Sequence, residues 1–235
     1  MRTVLFLILL TVGSLYAEEP KYAPTKDIET RQGYWFSYDG RARNPRWTLE
    51  HFTAKSLIQN VSRDSNPFKG DEGVLKEARA LPSDYAGTGY DQGHCAAADG
   101  HRSSEEEIRG TFLMTNMIPQ KPECNRAWWK QLEELTRSYA KSGADVWVVS
   151  IPIYSSEGSA IEIKTIGKHR VWVPTHCAKT VLIQKAGKVE VKAWVGPNGK
   201  VDGGLESLEV PVDKLEELSG FDFWHGIANE DDLEK

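Results

Sequence analysis

Apolar positions change their spacing several times along the chain, and each change marks an element. Residues 1–17 begin Met1-Arg2, turn apolar from residue 4 to residue 10, and end in small residues at Ala17. A membrane-spanning helix needs about 20 apolar residues, so this shorter run predicts a secretory leader cleaved near Ala17 and not an anchor. Residues 18–32 are polar and are expected to be extended or loosely ordered. From 34 to 47 aromatic and basic residues interleave around turn signals at Asp39-Gly40 and Asn44-Pro45, as in a hairpin. A helix is expected over 48–59, long loops over 62–90 where Gly, Pro, Asp and Ser concentrate, and a short strand over 111–115.

Asn125 is expected to open a helix running to about Lys141, stopped by Ser142-Gly143. The near-continuous, β-branched apolar run 146–154 reads as a central strand buried on both faces. Further strands are expected at 161–166, 171–174, 179–184 and 189–195, with turns at Ala186-Gly187 and Pro197-Asn198-Gly199. A short helix over 212–218 precedes an acidic tail, 226–235. These elements predict one α+β domain over 33–225, a mixed and mostly antiparallel sheet with flanking helices.

The helix after Asn125 has two distinct stripes when placed on a wheel at about 100° per residue. Trp128, Leu132, Leu135 and Tyr139 share an apolar face, and Asn125, Trp129, Glu133 and Arg137 form the neighbouring stripe. If the first face packs on the sheet, the second is held along a cleft. Each polar residue also has an ordinary structural reading. Asn125 suits a helix N-cap, Glu133 and Arg137 an i, i+4 ion pair, His94 a turn beside Gly93, and Asn116 a strand end.

Taken together they offer chemistry. Asp91-Gln92-Gly93-His94, then Asn116-Met117-Ile118-Pro119-Gln120, then Asn125 with Trp129 and Leu132-Glu133, supply a candidate base, two carboxamides and a carboxylate. That is the inventory of metal-assisted phosphodiester cleavage.

Net charge weighs against a nucleic-acid partner, since 29 basic face 34 acidic residues, a formal charge of -5. The acids are segregated, however, in Glu105-Glu106-Glu107, Glu216-Glu217 and the tail. Basic residues gather at Arg41, Arg43 and Arg46, and on the motif itself at Lys121, Arg126, Lys130 and Arg137. A nuclease needs only local complementarity. Three cysteines, Cys95, Cys124 and Cys177, permit at most one bridge in the oxidising compartment that a leader implies. Cys95 and Cys124 each adjoin a motif residue, so a bridge between them is one of the three possible pairings. A structural zinc site from these cysteines with His94, His101 and His176 lacks a C-x₂-C pair and is disfavoured.

The quoted motifs resemble those of the DNA/RNA non-specific endonucleases, the ββα-metal or His-Me finger family. Its signature is Asp-Arg-Gly-His, a strand ending in Asn-x-x-Pro-Gln, then Asn with Trp four later and Leu-Glu at seven and eight later. The lead-in Asp84-Tyr85-Ala86-Gly87-Thr88-Gly89-Tyr90 and Val173-Pro174-Thr175-His176 are similar too, so the resemblance spans roughly residues 30–200. It implies the ββα-metal fold and a secreted or periplasmic, sugar-non-specific endonuclease acting on DNA and RNA, with no membrane partner, a protein inhibitor as a candidate partner and an open oligomeric state. His94 is then the general base. Asn125 is the direct ligand of one hydrated Mg²⁺, with Mn²⁺ as a substitute, and Glu133 holds a water of that ion's shell. Asn116 positions the His94 loop or the phosphate, Arg137 offsets phosphate charge, and Gln92, Arg63, Lys121 and Arg126 contact substrate.

The sequence departs from the family in two places. Gln92 stands where the signature has arginine, and a second, upstream arginine falls at Arg63 or at Asn66. Loss of one charge-assisted contact costs on the order of 1.5–3 kcal/mol. The alternative reading is therefore a catalytically weakened nucleic-acid-binding module on the same scaffold.

Overall fold

In the computed structural model the described residues are 20–63, 67–155, 162–227 and 233. Seven strands pair edge to edge in the order β1 (Glu29–Arg31), β2 (Tyr34–Asp39), β3 (Asn44–Phe52), β6 (Asp145–Ile153), β9 (His176–Lys185), β10 (Lys188–Pro197) and β11 (Glu209–Val210), all antiparallel. Two short strand pairs lie outside this sheet, β4 (Asp91–His94) with β5 (Met117–Gln120) and β7 (Thr165–Ile166) with β8 (Val171–Trp172). The helices are α1 (Glu105–Thr111), α2 (Lys130–Lys141) and α3 (Val212–Ser219). The α+β expectation holds.

Successive side chains on a strand point to opposite faces, and here both faces are covered. On one, Val146, Val148, Val181, Ile183 and Trp194 meet Cys95 just after β4, Ile118 of β5, Trp128 and Trp129 of the turn before α2, and Leu132 of α2. On the other, Trp47, Leu49, Val149, Ile151 and Leu182 meet Val212, Leu215, Phe223 and Trp224. A strand covered on both sides needs no alternation, which explains the unbroken apolar run of β6.

Several expected elements are corrected. Residues 48–59 do not form a helix; the stretch opens as the second half of β3 and continues beyond Phe52 in turns. Trp47 and Leu49 face one core while Thr48 and Glu50, both buried, face the other, so the polar positions mimic an amphipathic pattern. Residues 111–115 are not a strand. Ser104 caps α1 by accepting from the Glu107 N–H at 3.2 Å, and three acids occupy the helix's positive first turn. The strand begins only at Met117. The segment 20–32 is not loose: Tyr22 is buried, its ring 5.3 Å from that of Trp147 and 5.9 Å from that of Trp224. Trp47 Nε1 donates to Thr25 Oγ1 at 2.9 Å, and Ser37 and Arg46 donate to Asp27. Residues 22–27 are thus tied to the strands of the sheet. The leader (1–17) and most of the acidic tail lie outside the described residues.

Candidate active site

β4 and β5 pair with Asp91 opposite Gln120, Gly93 opposite Ile118 and His94 opposite Met117. A Cβ on Gly93 would overlap the side chain of Gln120, so any larger residue there forces that side chain to move. After β5 a π-helical turn, Cys124–Trp129, leads directly into α2. Such turns insert a residue into the helical path and re-aim its side chains. The wheel therefore fails at Trp129, which is fully buried with Trp128 while Asn125 reaches the surface.

β4, the π turn and the start of α2 enclose a cleft of about 530 Å³. Of the expected residues, Gln92, His94, Asn125, Glu133, Arg63 and Arg126 line it. His94 is buried between the rings of Phe68 and Phe112, at 5.6 and 5.0 Å, and its Nε2 has no hydrogen-bond partner. Burial, reinforced by the charges of Arg63 and His101, pushes the imidazole pKa down to about 3, so the ring is neutral at neutral pH. Trp129 Nε1 donates to the His94 carbonyl at 3.0 Å and fixes the backbone behind the ring.

Asn125 donates Nδ2 to Asp91 Oδ2 at 3.0 Å, which leaves its Oδ1 for the cleft. Arg126 grips the same carboxylate through Nε at 2.8 Å and Nη2 at 2.6 Å. Those donors, the Arg126 hydrogen bond foremost, hold the Asp91 carboxyl below its ordinary value. Glu133 projects one turn into α2. Burial raises its carboxyl to about 7, against the pull of the Lys179 and Arg137 cations. The i, i+4 ion pair with Arg137 is absent from the ion pairs among the described residues, although the two side chains share one helix.

The structure separates three expected residues from the cleft. Asn116 is fully buried: its Nδ2 donates to Ala96 O at 2.9 Å and Thr111 O at 2.8 Å, and its Oδ1 accepts from Ala96 N at 2.8 Å. With its amide so engaged it can brace the His94 loop but has no group left for phosphate. Arg137 is buried, with Nη1 unpartnered, and is absent from the cleft lining, so direct phosphate contact has no geometric basis. Lys121 lines a neighbouring cavity instead. Asn66 lies outside the described residues.

Sequence reasoning missed the layer beneath His94. Ser150 Oγ donates to Cys95 O at 3.0 Å, Lys179 Nζ donates to the same oxygen at 3.2 Å and to Ser150, and Lys179 Nζ sits 4.3 Å from the centre of the Trp129 ring. Glu50 Oε1 accepts from Ala97 N at 2.8 Å and faces His101 Nε2 at 2.9 Å. The available signal was a serine and a lysine interrupting apolar strands. The cysteines are also corrected: all three are free and buried, and Cys124 Sγ lies 4.0 Å from Cys177 Sγ, its thiol neighbour in place of Cys95.

The geometry is matched by comparison with known proteins. The sequence model described as DNA/RNA non-specific endonuclease matches residues 13–230. Mitochondrial endonuclease G of Homo sapiens is 35% identical over 204 residues, covering 83% of this chain and 69% of that protein. Nuclease C1 of Cunninghamella echinulata var. echinulata is 34% identical, covering 85% and 83%. The mitochondrial nuclease EXOG of Danio rerio is 33% identical, covering 88% and 64%. Among solved structures, the crystal structure of an EndoG/EndoGI complex superposes with a TM-score of 0.82 at 33% identity, covering 88% of this chain and 89% of that one. These relatives overturn the expected secreted or periplasmic location, since the endonuclease G and EXOG proteins are named mitochondrial. No described helix is long and apolar enough to cross a membrane.

Proposed function

This chain belongs to the DNA/RNA non-specific endonuclease family, and from that premise we propose that it cuts DNA and RNA internally, using His94 as general base beside one hydrated Mg²⁺ held by Asn125. The observation that carries this reading is the pairing, in one cleft, of an unpartnered neutral imidazole nitrogen with a carboxamide oxygen left unspent. Nε2 of His94 takes the proton of an attacking water, a task that requires a neutral ring. Asp91 orients Asn125 by accepting from its Nδ2. Glu133 holds a water of the ion's shell, and Arg137 acts on Glu133 from behind, moderating its charge without touching substrate.

The donors fit a hard, strongly hydrated cation. Among the described residues no group of three or more His, Cys, Asp or Glu could hold a metal ion, and Mg²⁺ keeps most of its waters and accepts few protein oxygens. Mn²⁺ prefers the same oxygen donors. Bound there, the ion supplies charge stabilisation to the phosphoryl oxygens. Gln92, Arg63 and Arg126 flank the substrate phosphate, Arg126 while tied to Asp91. The cleft offers few groups able to read base edges, which supports sequence-independent cutting. A protein inhibitor as partner is supported by the superposed complex, whose description concerns inhibition of EndoG by EndoGI. The folded unit extends from residue 20 to about residue 225.

Supercoiled plasmid and structured RNA, each incubated with the protein and Mg²⁺ and then with EDTA, test the reading. Nicking of both that EDTA abolishes is expected. Binding without nicking would favour the weakened binding module, for which the neutral Gln92 in the cleft speaks.

A further inference from the structure

Tyr90 lines the active-site cleft and also a second cavity of about 330 Å³, whose wall includes Lys121, Lys164, Pro174, Thr175 and Asn198. The wall is built from internal ties. Asn198 is buried, donates Nδ2 to Pro119 O at 2.8 Å and Pro174 O at 3.0 Å, and accepts from Lys121 N at 2.8 Å. These bonds fix the end of β5, the strand paired with that of His94, against the segment before β9. Lys164 Nζ stands 5.1 Å over the Tyr90 ring, which parks an ammonium at the junction of the two cavities.

The cations of the first cleft are engaged: Arg126 with Asp91, Arg63 at 3.7 Å from Asp99, and Lys130 at 3.9 Å from Glu134. Lys121 and Lys164 are in no ion pair among the described residues, and Glu162 is the acid of their cavity. In a chain of net charge -5, two unspent ammonium groups on one walled cavity are the place where a polyanion finds hold.

We propose that this second cavity is a subsite for the nucleic-acid strand, in which Lys121 and Lys164 hold a phosphate neighbouring the one in the cleft as the strand passes the edge of Tyr90. The proposal rests on the nuclease reading above. The occupant is backbone and not base: Lys164 covers the Tyr90 ring face, while Asn198 and Thr175 spend their side-chain groups on Pro119, Pro174 and Ile153 carbonyls. With those amide and hydroxyl groups spent, the hold comes from charge on the phosphate and is independent of sequence.

The test is anisotropy of a fluorescent single-stranded DNA of about twelve nucleotides, titrated in EDTA over a range of salt. Each phosphate neutralised on single-stranded DNA contributes about 0.7 to the slope of log affinity against log salt, so Lys121→Gln with Lys164→Gln, which together release one phosphate, lower the slope by about 0.7. Melting temperature falls little, since among the described residues neither ammonium makes a hydrogen bond and only the Lys164–Tyr90 contact is lost. Lys188→Gln, exposed at the far β9–β10 turn, keeps the parent slope. An unchanged slope in the double variant, or an equal fall in Lys188→Gln, overturns the subsite. Plasmid nicking by the parent protein, run in parallel, separates this from failure of the nuclease reading, which would show as no nicking at all.

Discussion

His94 and Asn125 fail differently when truncated, because one moves a proton and the other holds an ion. His94→Ala is expected to reduce turnover by about 10²- to 10⁴-fold, the range of general-base catalysis, with oligonucleotide binding retained. Asn125→Ala is expected to lose turnover together with Mg²⁺ affinity, and raised Mg²⁺ restores part of it; initial rates across a Mg²⁺ titration show which pattern each variant follows. The Asp71 carboxylate contributes to acid stability. Burial raises its pKa, but donors from Thr115 at 2.6 Å, Arg31 at 3.1 Å and Gly73 N at 2.8 Å outweigh that and hold it below the ordinary carboxylate value. A lowered folded pKa adds stability that is complete above the unfolded value of about 3.9 and is lost as pH falls through the folded one. Asp71→Asn is therefore expected to cost about 2 kcal/mol at pH 7, and its melting-temperature gap from the parent begins to narrow below about pH 3.9 and closes only below the folded pKa.

At the scale of elements, the β4–β5 hairpin depends on one absent side chain. Gly93→Ala drives a methyl into Gln120, and overpacking of this kind costs about 1–3 kcal/mol. Adding Gln120→Ala is expected to recover most of the loss, and a double-mutant cycle on thermal melts measures the coupling. α2 was legible in the sequence because its signals are local, Asn125, Leu132 and Glu133 at fixed spacing and Ser142-Gly143 at the stop; the hairpin was not, its second strand being expected at 111–115 and lying at Met117–Gln120. β3 was not, because Thr48 and Glu50 look solvated in the sequence although both are buried, Glu50 against Ala97 and His101 about fifty residues on. Lys179 and Ser150 were invisible for the same reason, their acceptor Cys95 O arriving from a distant part of the chain. Arg137 and Lys121 were placed by a wheel and by proximity to the motif, neither of which registers which side of a wall a side chain reaches.

At the scale of the molecule, the sheet divides labour between its faces. The cleft stands on one, and the other is sealed by α3 with Phe223 and Trp224, whose Nε1 donates to Thr180 Oγ1 at 2.8 Å. Removing everything after Gly220 deletes two fully buried aromatics; loss of an aromatic from a core costs about 3–5 kcal/mol. The truncated chain is expected to lose its cooperative melt.

Tyr22 and Trp224 touch on that sealed face, so the beginning and the end of the folded path lie side by side, away from the cleft. The order in which the segments are synthesised is thus separable from the shape they make. A circularly permuted gene, with a short linker joining these ends and new ones opened at the exposed Ala186-Gly187 turn, should yield the same enzyme. The linker between the old ends would then be one insertion point for cargo on the face away from the cleft.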